Sequence, residues 1–348
     1  MKVSILTHSS YGESGGINKY VSQVTECINK SDFTTEVNIF AKINARKISK
    51  KTNIFINKNN FLLLILLSFK KLMNSDVLLI THINLIPYIF IFIFLNKKII
   101  LFSYGLEVWG TTKNFIYKYL IKKIKYFICM REYTKRELIR KYNLKNKIFF
   151  SLDNFINDLK NIKKTKKQNI ILTTARLDAN EKFKGIDETM ESISLVNNPK
   201  FKYIVLGDGD DKFRLIEKAK KLKINHIVKF KGYVSGKKKI KYLKISKILS
   251  MPGSDITFDT YPYRFSFLEA ANYSLHILGS NPFKDEIIKA KKYKIFNFVN
   301  PKNRGQIKNN MLRLLKKKNF FSKNLHKDYS KEKFCMKLNS YIKMVVNH

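Results

Sequence analysis

Short apolar runs alternate with amphipathic stretches through the first half of the chain. Runs rich in β-branched and aromatic residues predict strands at residues 2–7, 76–81, 98–103, 126–130 and 147–151. Between them, apolar residues recur at helical spacing over residues 16–28, 114–125 and 134–142. A series in which strands alternate with helices forms a parallel sheet, so residues 1–163 are predicted to be one α/β domain.

The pattern restarts after a polar, lysine-rich stretch at residues 160–168. A second series of predicted strands covers residues 169–174, 202–206, 227–231, 248–251 and 276–279. We therefore predict a second domain over residues 164–327. Residues 328–348 carry apolar side chains at helical spacing and predict a helix that packs back near the junction; these are Phe334, Leu338, Ile342 and Val345.

Two doubly wound, Rossmann-like parallel-sheet domains in tandem predict a ligand cleft. Ligands of open α/β sheets bind outside the carboxyl ends of the strands, so the two domains are expected to face each other across such a cleft. Composition agrees with this architecture, because 348 residues that are 45% hydrophobic and 27% charged suit a globular protein of two domains.

The net charge of +42 points to an anionic partner. Part of it reflects a composition rich in Lys, Asn, Ile and Phe. No helix-turn-helix, zinc-finger or RNP-like pattern supports nucleic acid as that partner. The basic, aromatic segment 114–126 instead favours the surface of an anionic membrane, although buried helices remain the alternative for apolar runs such as residues 89–95.

Cysteine usage and the N-terminal sequence predict a cytoplasmic protein. Cys27, Cys129 and Cys335 lie far apart without a C-x-x-C pair, which favours a reducing compartment and argues against zinc. The start MKVSILTHSS reads as a first strand and not as a signal peptide. The apolar runs 61–69 and 86–95 are shorter than the ~20 residues that a membrane-spanning helix needs.

Two strand-to-helix turns suit a diphosphate. In SSYGESGGINKYV, Gly12, Gly15 and Gly16 precede a helix whose N-terminus attracts anions, although the motif alone favours an ordinary turn. In TTARLDANEKFKGID, Arg176 at a strand tip and Lys184 before a helix would hold a diphosphate and neutralise it as it departs. A solvated run of charges is the alternative there.

The turn VLGDGDD carries two acids, Asp208 and Asp210. A D-x-D metal site is one interpretation, but Asp and Gly are natural turn formers and helix N-caps, which we favour. Backbone groups around Gly232 in KFKGYVS would pair with a nucleobase. Lys239, in a lysine-rich stretch, is expected to be exposed and without a role.

The order and spacing of seven motifs resemble the GT4 family of GT-B-fold glycosyltransferases over nearly the whole chain. These motifs are GGINKYV, YGLEVWG, MREYT, ARLDANEKFKGID, VLGDGDD, KFKGYVS and RFSFLEAANYSLHILGS. The resemblance implies a retaining enzyme that uses a nucleotide-sugar without a metal or other cofactor. It also places the acceptor on the N-terminal domain and the donor mainly on the C-terminal one.

The same resemblance assigns the site residues. Arg176 and Lys184 hold the diphosphate and are the catalytic candidates, and Glu269, expected at a helix start, binds the ribose hydroxyls. The donor-binding set comprises Gly15, Gly16, Arg176, Lys184, Gly209, Tyr233, Tyr261, Phe267, Leu268 and Glu269. The acceptor-side candidates are Tyr104, Glu107 and His82. A histidine such as His82 is more often structural than catalytic.

The chain departs from the family pattern at three places, one of which is Pro262-Tyr263-Arg264 in place of the usual Gly-Phe-Gly. Tyr261 stands where the family's E-x7-E pair has its first glutamate, and Tyr104 stands where the turn before LEVW commonly has histidine. Taken as a whole, the resemblance implies a hexosyltransferase that acts on a glycan or glycolipid acceptor in bacterial surface polysaccharide synthesis. We expect it at the inner face of the cell membrane. A catalytically impaired, membrane-associated assembly partner with the same fold is the alternative, and a basic nucleic-acid-binding protein comes after it.

Overall fold

The computed structural model describes residues 1–9, 16–105, 108, 115–156, 165–179, 184–253, 265–280 and 284–348. The chain forms two compact units, one of Met1–Asn154 with Lys331–His348 and one of Phe155–Ser330. Each unit holds one parallel sheet with helices, which confirms the predicted α/β class. The boundary expected between residues 163 and 164 lies outside the described residues.

The first unit contains a seven-stranded sheet of order β3-β2-β1-β4-β5-β6-β7. Its strands are β1 Lys2–Ser9, β2 Glu36–Asn44, β3 Thr52–Ile56, β4 Val77–Ile80, β5 Ile99–Ser103, β6 Tyr126–Cys129 and β7 Ile148–Ser151. All neighbouring pairs are parallel. The central strands β4 and β5 are buried at every position, because helices cover both faces of the sheet.

Helices connect these strands in chain order. They are α1 Gly16–Lys30, α2 Phe61–Leu67, α3 Phe69–Met73, a 3₁₀ helix Ile83–Ile89, α4 Phe90–Phe94, α5 Phe115–Lys123 and α6 Glu132–Tyr142. The apolar run expected to be buried at 89–95 is divided between core and surface. Phe92 and Ile93 lie in the core, whereas Phe90, Phe94 and Leu95 are about half exposed. None of the described helices is both long and apolar enough to span a bilayer.

The second unit contains a six-stranded parallel sheet of order β10-β9-β8-β11-β12-β13. Its strands are β8 Ile170–Thr174, β9 Lys202–Leu206, β10 Val228–Phe230, β11 Ile248–Met251, β12 His276–Gly279 and β13 Phe296–Phe298. Its helices are α7 Ile186–Ser194, α8 Lys212–Lys221, α9 Gly236–Ile245, α10 Phe265–Asn272, α11 Lys284–Lys291, α12 Arg304–Lys316 and α13 Lys323–Asp328. Two apolar clusters, one on each face, form its core.

The last helix, α14 Lys331–Asn347, belongs to the first unit and packs on α1. The sequence predicted its apolar face correctly, since all four predicted positions are buried; these are Phe334, Leu338, Ile342 and Val345. Polar contacts fix its orientation. Lys331 pairs with Glu26 at 2.6 Å, and the Tyr341 hydroxyl donates to the Ser151 carbonyl at 3.0 Å.

A disulfide joins Cys27 of α1 to Cys335 of α14, with their Cα atoms 5.2 Å apart. The wide spacing of the three cysteines, from which a reducing compartment was favoured, gave no sign of this pair. The two residues are 308 positions apart in the sequence, so no local spacing signals their proximity. The third cysteine, Cys129, is a buried thiol of β6.

Candidate functional site

The predicted donor-side residues of the second unit follow the carboxyl ends of neighbouring strands. Arg176 follows β8, Gly209 follows β9 and Tyr233 follows β10. Because β8, β9 and β10 are adjacent and parallel, the loops after them lie at one edge of the sheet. The sheet therefore brings these three motifs to the same side, as expected for motifs that follow the carboxyl ends of parallel strands.

Backbone hydrogen bonds hold the loops together. The Leu177 amide donates to the Asp208 carbonyl at 2.9 Å, and the Gly207 amide donates to the Gly232 carbonyl at 2.8 Å. Gly209 makes this packing possible, because a Cβ atom there would lie 2.0 Å from the Leu177 carbonyl oxygen. The turn is thus built for close approach of two backbones.

The acids of this turn have structural partners. Lys212 lies 3.2 Å from the Asp208 carboxylate and lowers the pKa of that carboxyl. The Ala179 amide donates to the Asp210 carboxylate at 2.9 Å. These contacts favour the turn interpretation over a D-x-D metal site. Within the described part of the chain, no three His, Cys, Asp or Glu side chains gather into a potential metal site.

Of the two catalytic candidates, Arg176 follows β8 and Lys184 stands at the start of α7. The Arg176 side chain is 66% exposed, and its Nε lies 3.7 Å from the Asp178 carboxylate. Lys184 is partly buried and directly precedes Gly185, the N-cap residue of α7. The helix N-terminus adds partial positive charge to these cations. The segment between them that contains Lys182 lies outside the described residues.

A buried network of hydroxyl groups anchors this helix start. Thr189 donates to the Gly185 carbonyl at 2.7 Å and its hydroxyl contacts that of Ser250 at 2.9 Å. Thr173 in turn donates to the Ser250 carbonyl at 2.5 Å. Since Thr173 is in β8 and Ser250 in β11, the network ties the N-terminus of α7 to two central strands.

An ion-pair network neutralises Asp187, one of the two acids in the first turn of α7; the other is the buried Glu188. Arg214 binds the Asp187 carboxylate through two hydrogen bonds of 2.9 and 2.8 Å, and Lys218 adds a third at 2.6 Å. These cations outweigh the effect of burial and hold the pKa of Asp187 at about 2. Asp187 is therefore ionised but compensated, and its charge offers little repulsion to an anion at the helix N-terminus.

Glu269 is paired with a lysine that the sequence analysis gave no role. It lies in the second half of α10, not at the helix start, which corrects that expectation. Lys239 of α9 donates to Glu269 Oε2 at 2.5 Å, and the two side chains are 26% and 25% exposed. The expectation that Lys239 is exposed is wrong. A pairing between residues of two helices leaves no local signal in sequence.

The remaining donor-side candidates differ in accessibility. Tyr233 is 67% exposed and its ring is available for stacking. Phe267 and Leu268 are buried in the core, so they can meet a ligand only through their backbone. Gly16 is the exposed first residue of α1 in the first unit. The other two candidates, Gly15 and Tyr261, lie outside the described residues.

On the acceptor side, Tyr104 and His82 follow adjacent strands of the first unit. Tyr104 is buried with its ring 5.5 Å from that of Tyr20. His82 accepts a hydrogen bond at Nδ1 from the Asn84 amide, at 3.1 Å, and burial lowers the pKa of His82 to about 4. His82 is thus neutral at pH 7 with its proton on Nε2, which suits a hydrogen-bond donor better than a base. Glu107 lies outside the described residues.

The sequence analysis missed His8, whose ring lies 5.3 Å from that of His82. It is the penultimate residue of β1, which pairs in parallel with β4. Its position near the end of the predicted first strand, in MKVSILTHSS, could have identified it as a candidate.

Comparisons with known proteins agree with this arrangement. The family "glycosyl transferases group 1" matches residues 154–334, which is more than half of the chain. No curated protein matches the sequence significantly. Among solved structures, the lipopolysaccharide outer core galactosyltransferase WaaB is similar, with a TM-score of 0.70 and 13% identity over 99% of both chains.

Two further solved structures share the architecture. HepE from Anabaena, in complex with UDP, gives a TM-score of 0.72 at 12% identity over 100% of both chains. WaaG, a glycosyltransferase involved in lipopolysaccharide biosynthesis, gives 0.63 at 13% identity over 98% of this chain and 95% of WaaG. At these identities the likeness establishes the fold.

Fold and motifs together define a GT-B glycosyltransferase architecture of two parallel-sheet units. The chain belongs to the glycosyl transferases group 1 family, also described as GT4. The resemblance drawn from the seven motifs is thereby confirmed.

Proposed function

We propose that this protein is a retaining, metal-independent hexosyltransferase that moves a sugar from a nucleotide-sugar donor to a glycan or glycolipid acceptor. The observation that carries the proposal is that Arg176 follows the carboxyl end of β8 and Lys184 precedes the N-cap of α7, both within the region that matches the family. Cations beside a helix N-terminus suit a diphosphate. WaaB is a lipopolysaccharide outer core galactosyltransferase and WaaG is involved in lipopolysaccharide biosynthesis, which supports an acceptor in bacterial surface polysaccharide synthesis.

Each donor-side residue has a chemical role in this proposal. Arg176, Lys184 and the N-terminus of α7 stabilise the negative charge that develops on the diphosphate as the bond to the sugar breaks. Glu269 accepts hydrogen bonds from the ribose hydroxyls, and the exposed ring of Tyr233 stacks on the base. The UDP bound in the HepE structure supports a nucleoside diphosphate as the leaving group.

Tyr261 supports a second candidate function. It replaces the first glutamate of the family pair, so a catalytically impaired protein that binds donor without transferring sugar is the alternative. The two candidates share the binding step and differ only in turnover. An assay of sugar transfer to glycolipid acceptors and of donor hydrolysis separates them.

The proposal is tested by thermal unfolding with UDP-, GDP- and dTDP-sugars, followed by a transfer assay. We expect one nucleotide class to raise the unfolding temperature, since saturation at a hundred times Kd adds about 2.7 kcal/mol of stability. Turnover should continue in EDTA. Failure of all three classes to stabilise the protein would overturn the proposal. Turnover lost in EDTA and restored by Mg²⁺ would overturn metal independence alone.

We further propose that the first unit attaches to an anionic membrane surface at the cytoplasmic face. Exposed side chains of α4 and α5 form an apolar patch, defined here as Phe90, Phe94, Leu95, Phe115, Ile116 and Tyr119. The rings of Phe94 and Tyr119 lie 6.4 Å apart, which makes the patch continuous between the helices. Exposed Lys118, Lys122 and Lys123 on α5 would contribute about 1 kcal/mol each near anionic lipid.

Replacing Phe115 by Ser should weaken sedimentation with anionic vesicles, because it removes an aromatic side chain that is 79% exposed in the apolar patch. Phe213→Ser is the matched control, since Phe213 is also 79% exposed but belongs to α8 of the second unit. Wild-type binding should fall as salt rises, because added salt shortens the Debye length from ~10 Å at 0.1 M to ~3 Å at 1 M. Equal losses in the two variants would contradict the assignment of this surface.

A further inference from the structure

We propose that Lys239 is a positioning residue for the donor-binding carboxylate of Glu269. This inference rests on the proposed function, because it assigns Lys239 to the ribose subsite of the same donor site. Lys239 would hold Glu269 in the orientation that accepts the ribose hydroxyls, and would stay bonded to it when the nucleotide binds. The structure supports the inference through three features: the geometry of the pair, its partial burial and a second tie between the same two helices.

The contact leaves half of the carboxylate available. Lys239 Nζ donates to Oε2 of Glu269 at 2.5 Å. Across the described residues, Oε1 of Glu269 has no hydrogen-bond partner. A carboxylate accepts about four hydrogen bonds, so a ribose diol can bind at Oε1 and at the second lone pair of Oε2 without displacing the lysine.

Partial burial makes the pair more than a solvated contact. Both side chains are about three-quarters buried, and a charge-assisted hydrogen bond in such surroundings is stronger than one in open solvent. A glutamate side chain loses substantial rotamer freedom when it is fixed. If Lys239 has already fixed Glu269, the rotamer entropy of the glutamate is lost when the protein folds. Nucleotide binding then does not have to offset this loss.

A second lysine ties the same two helices one turn further along. The partly buried Lys167 side chain donates to the Leu243 carbonyl of α9 at 3.2 Å and to the Tyr273 carbonyl just after α10 at 2.6 Å. Burial lowers the pKa of Lys167 to about 8. Leu243 follows Lys239 on α9 by four residues, and Tyr273 follows Glu269 by four residues, so the two ties fix the helices about one turn apart. Glu269 is therefore presented from a braced helix pair.

The experiment measures calorimetric affinity for UDP and for 2′,3′-dideoxy-UDP, which lacks both ribose hydroxyls. Lys239→Met keeps the aliphatic stem and removes the ammonium group. We expect it to weaken UDP by about tenfold, the lower end of the range for losing a residue that orients a ligand-binding group. Dideoxy-UDP should bind the variant and the wild type equally. Lys239→Arg should restore most of the affinity for UDP.

Two controls separate positioning from a general effect on folding or charge. Lys238→Met makes the same change of charge one residue away, at an exposed position of α9, and should leave both affinities unchanged. Glu269→Gln should weaken the binding of UDP. Adding Lys239→Met to that variant should cause little further loss of UDP affinity, since the two residues act on one contact.

Three outcomes would overturn the inference. Tighter UDP binding by Lys239→Met would show that the lysine competes with ribose. An equal loss for dideoxy-UDP would place its action on the phosphates or on the fold. An unchanged UDP affinity, with a wild type that binds UDP, would remove the role of Lys239 and leave the proposed function intact. A wild type that binds none of UDP, GDP and dTDP would overturn the proposed function and the role of Lys239 with it.

Discussion

Replacing Arg176 or Lys184 by Ala is expected to lower kcat/KM by roughly 100-fold or more. The reason is that Lys184 precedes the N-cap of α7 and Arg176 follows the carboxyl end of β8, and in the proposed function these cations meet the diphosphate as it departs and gains negative charge. Losing one preorganised charge from such a site costs about this factor. Steady-state kinetics with the donor identified by thermal unfolding would measure the loss.

Lys202→Ala is the control for this prediction. Lys202 is an exposed first residue of β9, so it lies at the amino end of the strand, opposite the edge that carries Arg176. Its replacement should change kcat/KM by less than about twofold. If all three alanine variants behave alike, then the position of a cation on the sheet does not matter and the assignment of the diphosphate site fails.

Replacing Gly185 by Ala should destabilise the second unit by about 3 kcal/mol or more. The backbone of Gly185 has a φ of +80°, and a Cβ atom there would lie 2.5 Å from the Pro252 nitrogen. Side chains with a Cβ disfavour this conformation, and backbone atoms at that distance must move apart. Urea-induced unfolding of the purified variant measures the change in the free energy of unfolding.

Gly236→Ala supplies the matched comparison. Gly236 also has a positive φ, of +53°, but a Cβ atom there would meet nothing within 4 Å. Only the conformational penalty of about 1–2 kcal/mol applies at that position. Similar destabilisation in both variants would mean that the approach of Pro252 to Gly185 does not shape the start of α7.

The sequence predicted the strands that alternate with clear helical patterns, but it did not predict β2 and β3. The run 77–80 is apolar at every position, and it forms β4 as expected. The strands β2 and β3 escaped prediction because polar residues such as Asn38 and Asn53 interrupt their apolar runs. These two asparagines bond each other across the strands at 3.0 Å, a partnership that only the folded sheet reveals.

In the candidate site too, some residues could be located from the nearby sequence, whereas others depend on contacts between distant parts of the chain. Arg176 was proposed from its position at the tip of a predicted strand and Gly209 from the family resemblance, and the parallel sheet brings the two strand ends to one edge. Lys239 and Glu269 are 30 positions apart, and their pairing depends on how α9 and α10 pack on the sheet. Periodicity reports which face of a helix is buried but not which residue of another helix it meets.

The return of α14 to the first unit has a consequence for synthesis on the ribosome. That unit is discontinuous, since residues 331–348 complete a body that begins at Met1, whereas Phe155–Ser330 form the other unit without interruption. Domains generally fold from the N-terminus as the chain emerges. Here the N-terminal unit cannot complete its fold until the entire second unit has been translated. The unit whose synthesis begins first is therefore the last to be completed. Until then, the side chains of α1 that α14 covers remain accessible to chaperones.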